Sequence, residues 1–343
     1  MTDYGYMGVA FHIAAFLITM TCIVYTYIQN RVDKPQKKMY LWMLIILVLN
    51  TVTETVYEVA FSHHADSSAI PVILTLCKYV YFISHTAVLP ILGYYGLSIT
   101  GRLRRFSKLG YTLFGLPVLF IEALMITNPI HLWCFSFGKV PFEYQRGWGV
   151  TALYVISAFY IIFFIANLFG SWKAITKKRR IALVYFLLMV FVGIILQMIH
   201  SSIRIELFAE SVAYLGLLLT VENEDDLIDG DVGLYNRKAL KIDIDTYITN
   251  DQNFHVACVK VENSDIVRRV TGSANTEILS DLMYRELVKY VPRYSIYKTA
   301  PDTFVIILMN ESAAEATAFA EKLSERFDEA WTVQHTDVLS PPR

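Results

Sequence analysis

Residues 177–226 read KKRRIALVYFLLMVFVGIILQMIHSSIRIELFAESVAYLGLLLTVENEDD, and the reading of this stretch decides the fold. Four cations open it and an apolar run follows from Ile181 to Ile203. The short polar patch Arg204-Ile205-Glu206 interrupts, and a second apolar run lasts to Val221, where the acids begin. Hydrophobic runs of about 20 residues are what crossing about 30 Å of hydrocarbon requires. Working back towards the N-terminus, comparable runs fall at 7–28, 39–60, 70–99, 109–130 and 149–169. With 181–203 and 205–221 they make seven expected spans, the last two being the least clearly separated. Composition agrees: 55% hydrophobic and 18% charged residues are too oily for a soluble chain of 343 residues. A net charge of −1 leaves no basic field for nucleic acid. The start of the chain lacks a basic n-region and an A-x-A site, so the first run reads as a retained span and not a cleaved signal. Prolines 71, 90 and 117 fall at or inside spans, where neighbouring helices can satisfy the released carbonyls.

Lysine and arginine in short loops set orientation. Arg31, Lys34, Lys37 and Lys38 follow the first span, and Arg102, Arg104, Arg105 and Lys108 follow the third. Lys173, Lys177, Lys178, Arg179 and Arg180 follow the fifth. The alternate loops hold only Lys139, Arg146 and Arg204. This asymmetry predicts an outside N-terminus and a cytoplasmic segment after Val221.

That orientation sorts the intramembrane polar residues by depth. Glu54 and Glu58 lie one turn apart on one face of the second span. Lys78 lies about 12 Å below the start of the third, at about 1.5 Å rise per residue. Glu122, Gln197, His200 and Glu210 also fall in outer halves, with His85 near the middle. Charge inside a bilayer is costly and faces a cavity or another charge. Two readings stay open: a ligand pocket facing outside, or an ion-pair network in which Lys78 balances Glu54 or Glu58 and fixes helix packing. Four acids against one lysine leave a surplus that favours a cationic or amine-bearing ligand, or carboxylates held protonated.

After Glu222 charge is dense, and Glu222 to Asp226 read as a solvated continuation of the seventh helix. The remainder has α/β patterning. A helix is expected from Asn236 to Ile248, a strand over Val256–Val261, and a helix opened by Ser273. Phe304–Met309 is apolar on both faces, as in a central strand. Ser312-Ala-Ala-Glu315 is a capping box for a helix running to about Ala330. The order α-β-α-β-α implies helices packed on one sheet. The expected fold class is therefore an α-helical membrane protein of seven transmembrane helices plus a cytoplasmic α/β domain: residues 1–221, a linker helix at 222–228, and 229–343.

Two resemblances add to this. Asp229-Gly-Asp-Val-Gly-Leu-Tyr-Asn-Arg237 resembles the opening motif of GGDEF domains, the bacterial diguanylate cyclase fold, over about 80 residues of the chain. Laid over the chain without gaps, the family's first metal aspartate falls at Lys260, its guanine-reading asparagine at Arg268 and its G-H-x-x-G-D segment at Gly272–Glu277. The naming motif becomes Ala300-Pro301-Asp302-Thr303-Phe304. The departures remove the chemistry: Lys260 puts a cation where Mg²⁺ needs a carboxylate, Thr303 removes an acid, and Ala300 and Pro301 replace glycines at the nucleotide. The product-inhibition motif would fall at Val291 and Tyr294 and is missing too. The resemblance thus implies a catalytically inactive adaptor or dimeriser, with GTP or cyclic di-GMP as its only candidate ligands. Arg268 retains the chemistry to read guanine. Family members continue beyond the helix near Ala330, so the domain reads as incomplete at its C-terminus.

Thr127-Asn-Pro-Ile-His131 and Tyr144-Gln-Arg-Gly147 resemble the seven-helix sensor region found ahead of bacterial histidine kinases and GGDEF proteins. Together the resemblances imply a bacterial plasma-membrane receptor that pairs as a homodimer and signals through an inactive GGDEF-like domain. Its partners would be the lipid bilayer and an extracellular small molecule. The alternatives are a cyclic di-GMP phosphodiesterase whose EAL domain lies beyond Arg343, and a seven-helix transporter.

Smaller signals have plainer readings. Seven residues of depth favour Cys77 and Cys134 as isolated apolar-face cysteines over a disulfide. His63, His64 and Asp66 are too close for the i, i+4 geometry of a metal site and read as a solvated loop. Trp42, Trp133 and Trp148 read as interfacial anchors. No metal or catalytic constellation is expected.

Overall fold

The computed structural model describes residues 3–28, 34–63, 69–103, 107–138, 144–199, 204–223, 225–229, 233–261, 269, 273–327, 331–333 and 336–338. They fall into two compact units, one of residues up to Gln29 with Pro35–Asn223, the other essentially from Glu224 onward.

The first unit contains α1 (Asp3–Ile28), α2 (Pro35–Ser62), α3 (Ile70–Ile99), α4 (Lys108–Ile126) and the one-turn α5 (Asn128–His131). A hairpin of β1 (Phe135–Phe137) and β2 (Tyr144–Arg146) leads to α6 (Trp148–Gly170), α7 (Lys177–Ile199) and α8 (Glu206–Leu217). α8 runs on as a π-helical turn, Leu218–Glu222. Six of these helices, α1, α2, α3, α4, α6 and α7, are long and apolar enough to cross a membrane. α8 itself is shorter than the seventh span expected at 205–221 and carries Glu206 and Glu210, and the π-turn that follows it ends at Glu222. Pro71 sits in the first turn of α3, where its missing N–H is no loss. Pro90 and Pro117 lie inside α3 and α4. Ser107 caps α4, accepting from the Gly110 N–H at 3.0 Å.

The unit is inverted relative to a water-soluble bundle. Its exposed faces carry Leu17, Leu119, Val155 and Ile162, each at least 60% exposed. His12, Asn50, Glu54, Lys78, Asn128 and Glu222 are buried inside it. Apolar outside and polar inside is the arrangement a hydrocarbon solvent favours.

The second unit contains β3 (Tyr235–Asn236), α9 (Arg237–Thr249), β4 (Phe254–Lys260), α10 (Ser273–Tyr290), β5 (Ile296–Ala300), β6 (Thr303–Met309) and α11 (Ala313–Phe327). A short hairpin of β7 (Trp331–Val333) and β8 (Thr336–Val338) follows. The sheet order is β3-β5-β6-β4, with β3 parallel to β5 and the other pairs antiparallel. β6 is internal, as its two apolar faces require, with Phe304 and Ile306 fully buried. The expected α-β-α-β-α order needs correcting, because β3 and β5 are additional strands. Ile296-Tyr-Lys-Thr-Ala300 hides its strand character behind Lys298, whose ammonium reaches Asp229 at 3.1 Å. The capping box forms on both sides: Ser312 N–H donates to Glu315 Oε2 at 2.7 Å, and Glu315 N–H donates to Ser312 Oγ at 3.2 Å.

The motif 229–237 has a structural use at its described positions. The Gly233 N–H donates to the Asp229 carbonyl at 3.0 Å, in a turn that Gly233 enters with φ +67°. Leu234 and Tyr235 are completely buried. Asn236 caps α9, its Oδ1 accepting from Lys238 N–H at 2.9 Å and Ala239 N–H at 3.2 Å.

Candidate functional site

Where α2 runs towards α3, four charges meet. Lys78 Nζ donates to Glu54 Oε1 at 2.8 Å. Arg204, from the α7–α8 connection, donates through Nη1 to Glu54 Oε2 at 2.8 Å and lies 2.7 Å from Glu58 Oε1. Both oxygens of Glu54 are thus engaged, in a side chain only 7% exposed. Tyr57 lies between the cations, with Lys78 Nζ 3.9 Å and Arg204 Cζ 5.2 Å from its ring centre. The buried His12 of α1 lies near the same charges.

A hairpin covers this network. Asn128 Oδ1 accepts from Cys134 N–H at 2.8 Å, and Asn128 Nδ2 donates to the Phe135 carbonyl at 2.9 Å and the Tyr79 hydroxyl at 3.1 Å. The Gly147 N–H donates to the Cys134 carbonyl at 2.8 Å. A Cβ at Gly147 would collide with the Trp133 carbonyl, so this closure requires glycine. The Thr127–His131 and Tyr144–Gly147 motifs therefore build one turn, which sets Tyr144 5.7 Å from Lys78 Nζ.

Of the expected surplus, the part at Glu54 and Glu58 is matched by Arg204, read from sequence as a loop residue, whereas Glu122 and Glu210 have no lysine or arginine partner among the described residues. Glu122 stands apart on α4, accepting from Thr86 Oγ1, with Oε2 buried and unpartnered among the described residues. A third group gathers His85, Glu206 and Glu210, whose ligating atoms lie within 4.8 Å of one another. Gln197 Nε2 donates to Glu206 Oε2 at 2.9 Å and its Oε1 accepts the Glu206 N–H at 3.1 Å. His85 stacks on Tyr81 at 5.3 Å between ring centres. His200 lies outside the described residues.

At the opposite end of the helices Glu222 is 2% exposed. Its Oε1 accepts from Gln36 Nε2 at 2.7 Å and from the Tyr95 hydroxyl at 2.8 Å. The expected solvated continuation at Glu222 is thus corrected, because α2 and α3 bury this carboxylate. α8 and its π-turn therefore carry polar anchors to α2 and α3 near both ends.

Of the degenerate nucleotide residues, Lys260 pairs with Thr303 across β4 and β6, next to the Ala300–Thr303 hairpin turn. Val261 N–H donates to the Asp302 carbonyl at 3.0 Å, and Thr303 Oγ1 donates to Asp302 Oδ1 at 2.9 Å. Lys260, Ala300, Pro301, Asp302 and Thr303 thus share one end of the sheet. Asp302 is the one carboxylate among those five. Arg268 and the side chain of Glu277 lie outside the described residues.

Cys22, Cys77, Cys134 and Cys258 are all free thiols, so Cys77 and Cys134 form no disulfide. His63 is exposed beside Ser62; His64 and Asp66 lie outside the described residues.

Sequence reasoning missed Arg204, Glu206, Tyr144 and Glu222. Glu206 had a usable signal, since it precedes Glu210 by four residues and shares its helix face. No family model matches the chain, and no curated protein matches it.

Proposed function

We propose that the chain is a bacterial plasma-membrane receptor of the cyclic di-GMP type, with the N-terminus outside and the second unit in the cytoplasm. In this reading α8 with its π-turn is a seventh crossing. Its seventeen residues rise about 25 Å, at the short end of what spans a bilayer. The single observation that carries the reading is the anchoring of this helix near both ends, by Arg204 on Glu54 and Glu58 and by Glu222 on Gln36 and Tyr95. A small extracellular ligand that competes for the Glu54 network releases one anchor. The resulting shift of α8 loads the other, from which the chain continues into the second unit.

The second unit acts as a homodimerising adaptor of GGDEF type, with Lys260 and the Ala300–Thr303 turn in place of catalytic carboxylates. GTP or cyclic di-GMP would bind it as a regulator and not be turned over. Replacing both Glu54 and Glu58 by Gln imitates the released anchor. The affinity of the detergent-solubilised variant for GTP or cyclic di-GMP, measured by calorimetry on the full chain, should differ from that of the unaltered protein. Equal affinities would contradict the reading.

A further inference from the structure

We propose that His85, Glu206 and Glu210 form a binding site for one first-row divalent cation, of which Zn²⁺ is the best match. This goes beyond the receptor reading, because the site would bind its ion whether or not the chain signals.

The helix geometry is suited to it. Glu206 and Glu210 stand one turn apart on α8, and α3 brings His85 against them, with donor atoms within 4.8 Å. A tetrahedral ion with bonds of about 2.0–2.2 Å draws its donors to about 3.3 Å apart, a contraction that side-chain rotation supplies.

Charge is the second argument. Glu54 and Glu58 have Lys78 and Arg204, whereas among the described residues the Glu206 carboxylate receives one hydrogen bond, from the Gln197 amide Nε2. Among the described residues no lysine or arginine pairs with Glu206 or Glu210, and no hydrogen bond reaches the Glu210 carboxylate. Two adjacent carboxylates in an apolar bundle are costly, and a divalent cation cancels both charges.

Ligand type supplies the third. One imidazole and two carboxylates, without a thiolate, suit Zn²⁺ or Mn²⁺ and give Ca²⁺ too few oxygens. All three side chains are half-buried.

The test is calorimetric titration of ZnCl₂ into the tag-free, chelator-stripped full chain in detergent. One equivalent should bind, with affinity falling about tenfold or more in Glu210→Gln and in His85→Gln, while His63→Ala, at an exposed histidine, binds as the unaltered chain does. Zn²⁺ should also raise the melting temperature of the unaltered chain and not of a Glu206→Gln, Glu210→Gln double variant that melts cooperatively without metal. Absence of zinc binding by the unaltered chain, or undiminished binding by the double variant, overturns the proposal. The first of those results would mean that the two carboxylates share protons and hold no cation.

Discussion

Glu54 has a carboxylate oxygen for each of two cations, which makes it the residue on which the network depends. Replacing it by Gln keeps the shape and leaves Lys78 and Arg204 buried with one acid between them. Breaking a buried ion pair from one side costs about 3–5 kcal/mol. Thermal melting of Glu54→Gln in detergent should show a loss of that order. Glu58→Gln should lose less, because Glu58 meets Arg204 alone and is 12% exposed against 7% for Glu54. An equal loss in the two variants would place the centre of the network elsewhere. The acids and Lys78 were legible in the sequence because charge within a hydrophobic run is conspicuous. Arg204 was not, since depth counting assigns a residue between two runs to water, and a connection this short instead turns it back among the helices. Glu222 was hidden differently. Its neighbours Glu224, Asp225 and Asp226 read as solvent-facing, whereas its partners Gln36 and Tyr95 are more than 100 residues away in the chain.

Among the elements, α3 and α6 approach closely at Gly96, where a Cβ would stand 2.7 Å from Phe164 Cδ2. Overpacking of this kind costs about 1–3 kcal/mol. Gly96→Ala should lower the melting temperature, and Gly96→Ala combined with Phe164→Leu should recover part of the loss. No recovery would mean that Phe164 is not what excludes the methyl group. In the second unit α10 and α11 are joined through Glu286, which holds Lys289 at 2.8 Å and Arg326 at 3.4 Å. The hydrogen bond from Lys289, with help from Arg326 and against the effect of burial, keeps the Glu286 carboxyl below the usual range. A group whose folded value is depressed stabilises above its unfolded value, about 4.3, and that stability is lost as pH falls through the folded value. Hydrogen exchange in α10 should therefore accelerate as pH drops below about 4.3, beyond its intrinsic pH dependence, and Glu286→Gln should flatten that trend. An identical trend in the variant would assign the acid sensitivity to another group. Most helices were legible from the length of their apolar runs, and α11 from its capping box. β3 and β5 were not: the first is only two residues long, and the second carries a lysine whose buried stem breaks the alternation expected of a strand.

At the scale of the whole molecule, the change in composition after Val221 was plain in the sequence and matches a division near Asn223. Six helices follow from length and apolarity alone. The standing of α8 does not, because the carboxylates that give it a role also lower its hydropathy. The number of crossings decides the account. From His63, in the connection after α2, the chain crosses α3, α4, α6 and α7, and then α8 if that helix also spans. The most direct measurement is labelling with a membrane-impermeant maleimide. Cys258 is the exposed native cysteine, and Cys22, Cys77 and Cys134 are buried; a His63→Cys variant adds a second reporter. The account predicts that position 63 labels in intact cells and Cys258 only after the membrane is opened. Labelling of both positions from the same side would contradict it, leaving α8 without a crossing and removing the route from the Glu54 network to the second unit.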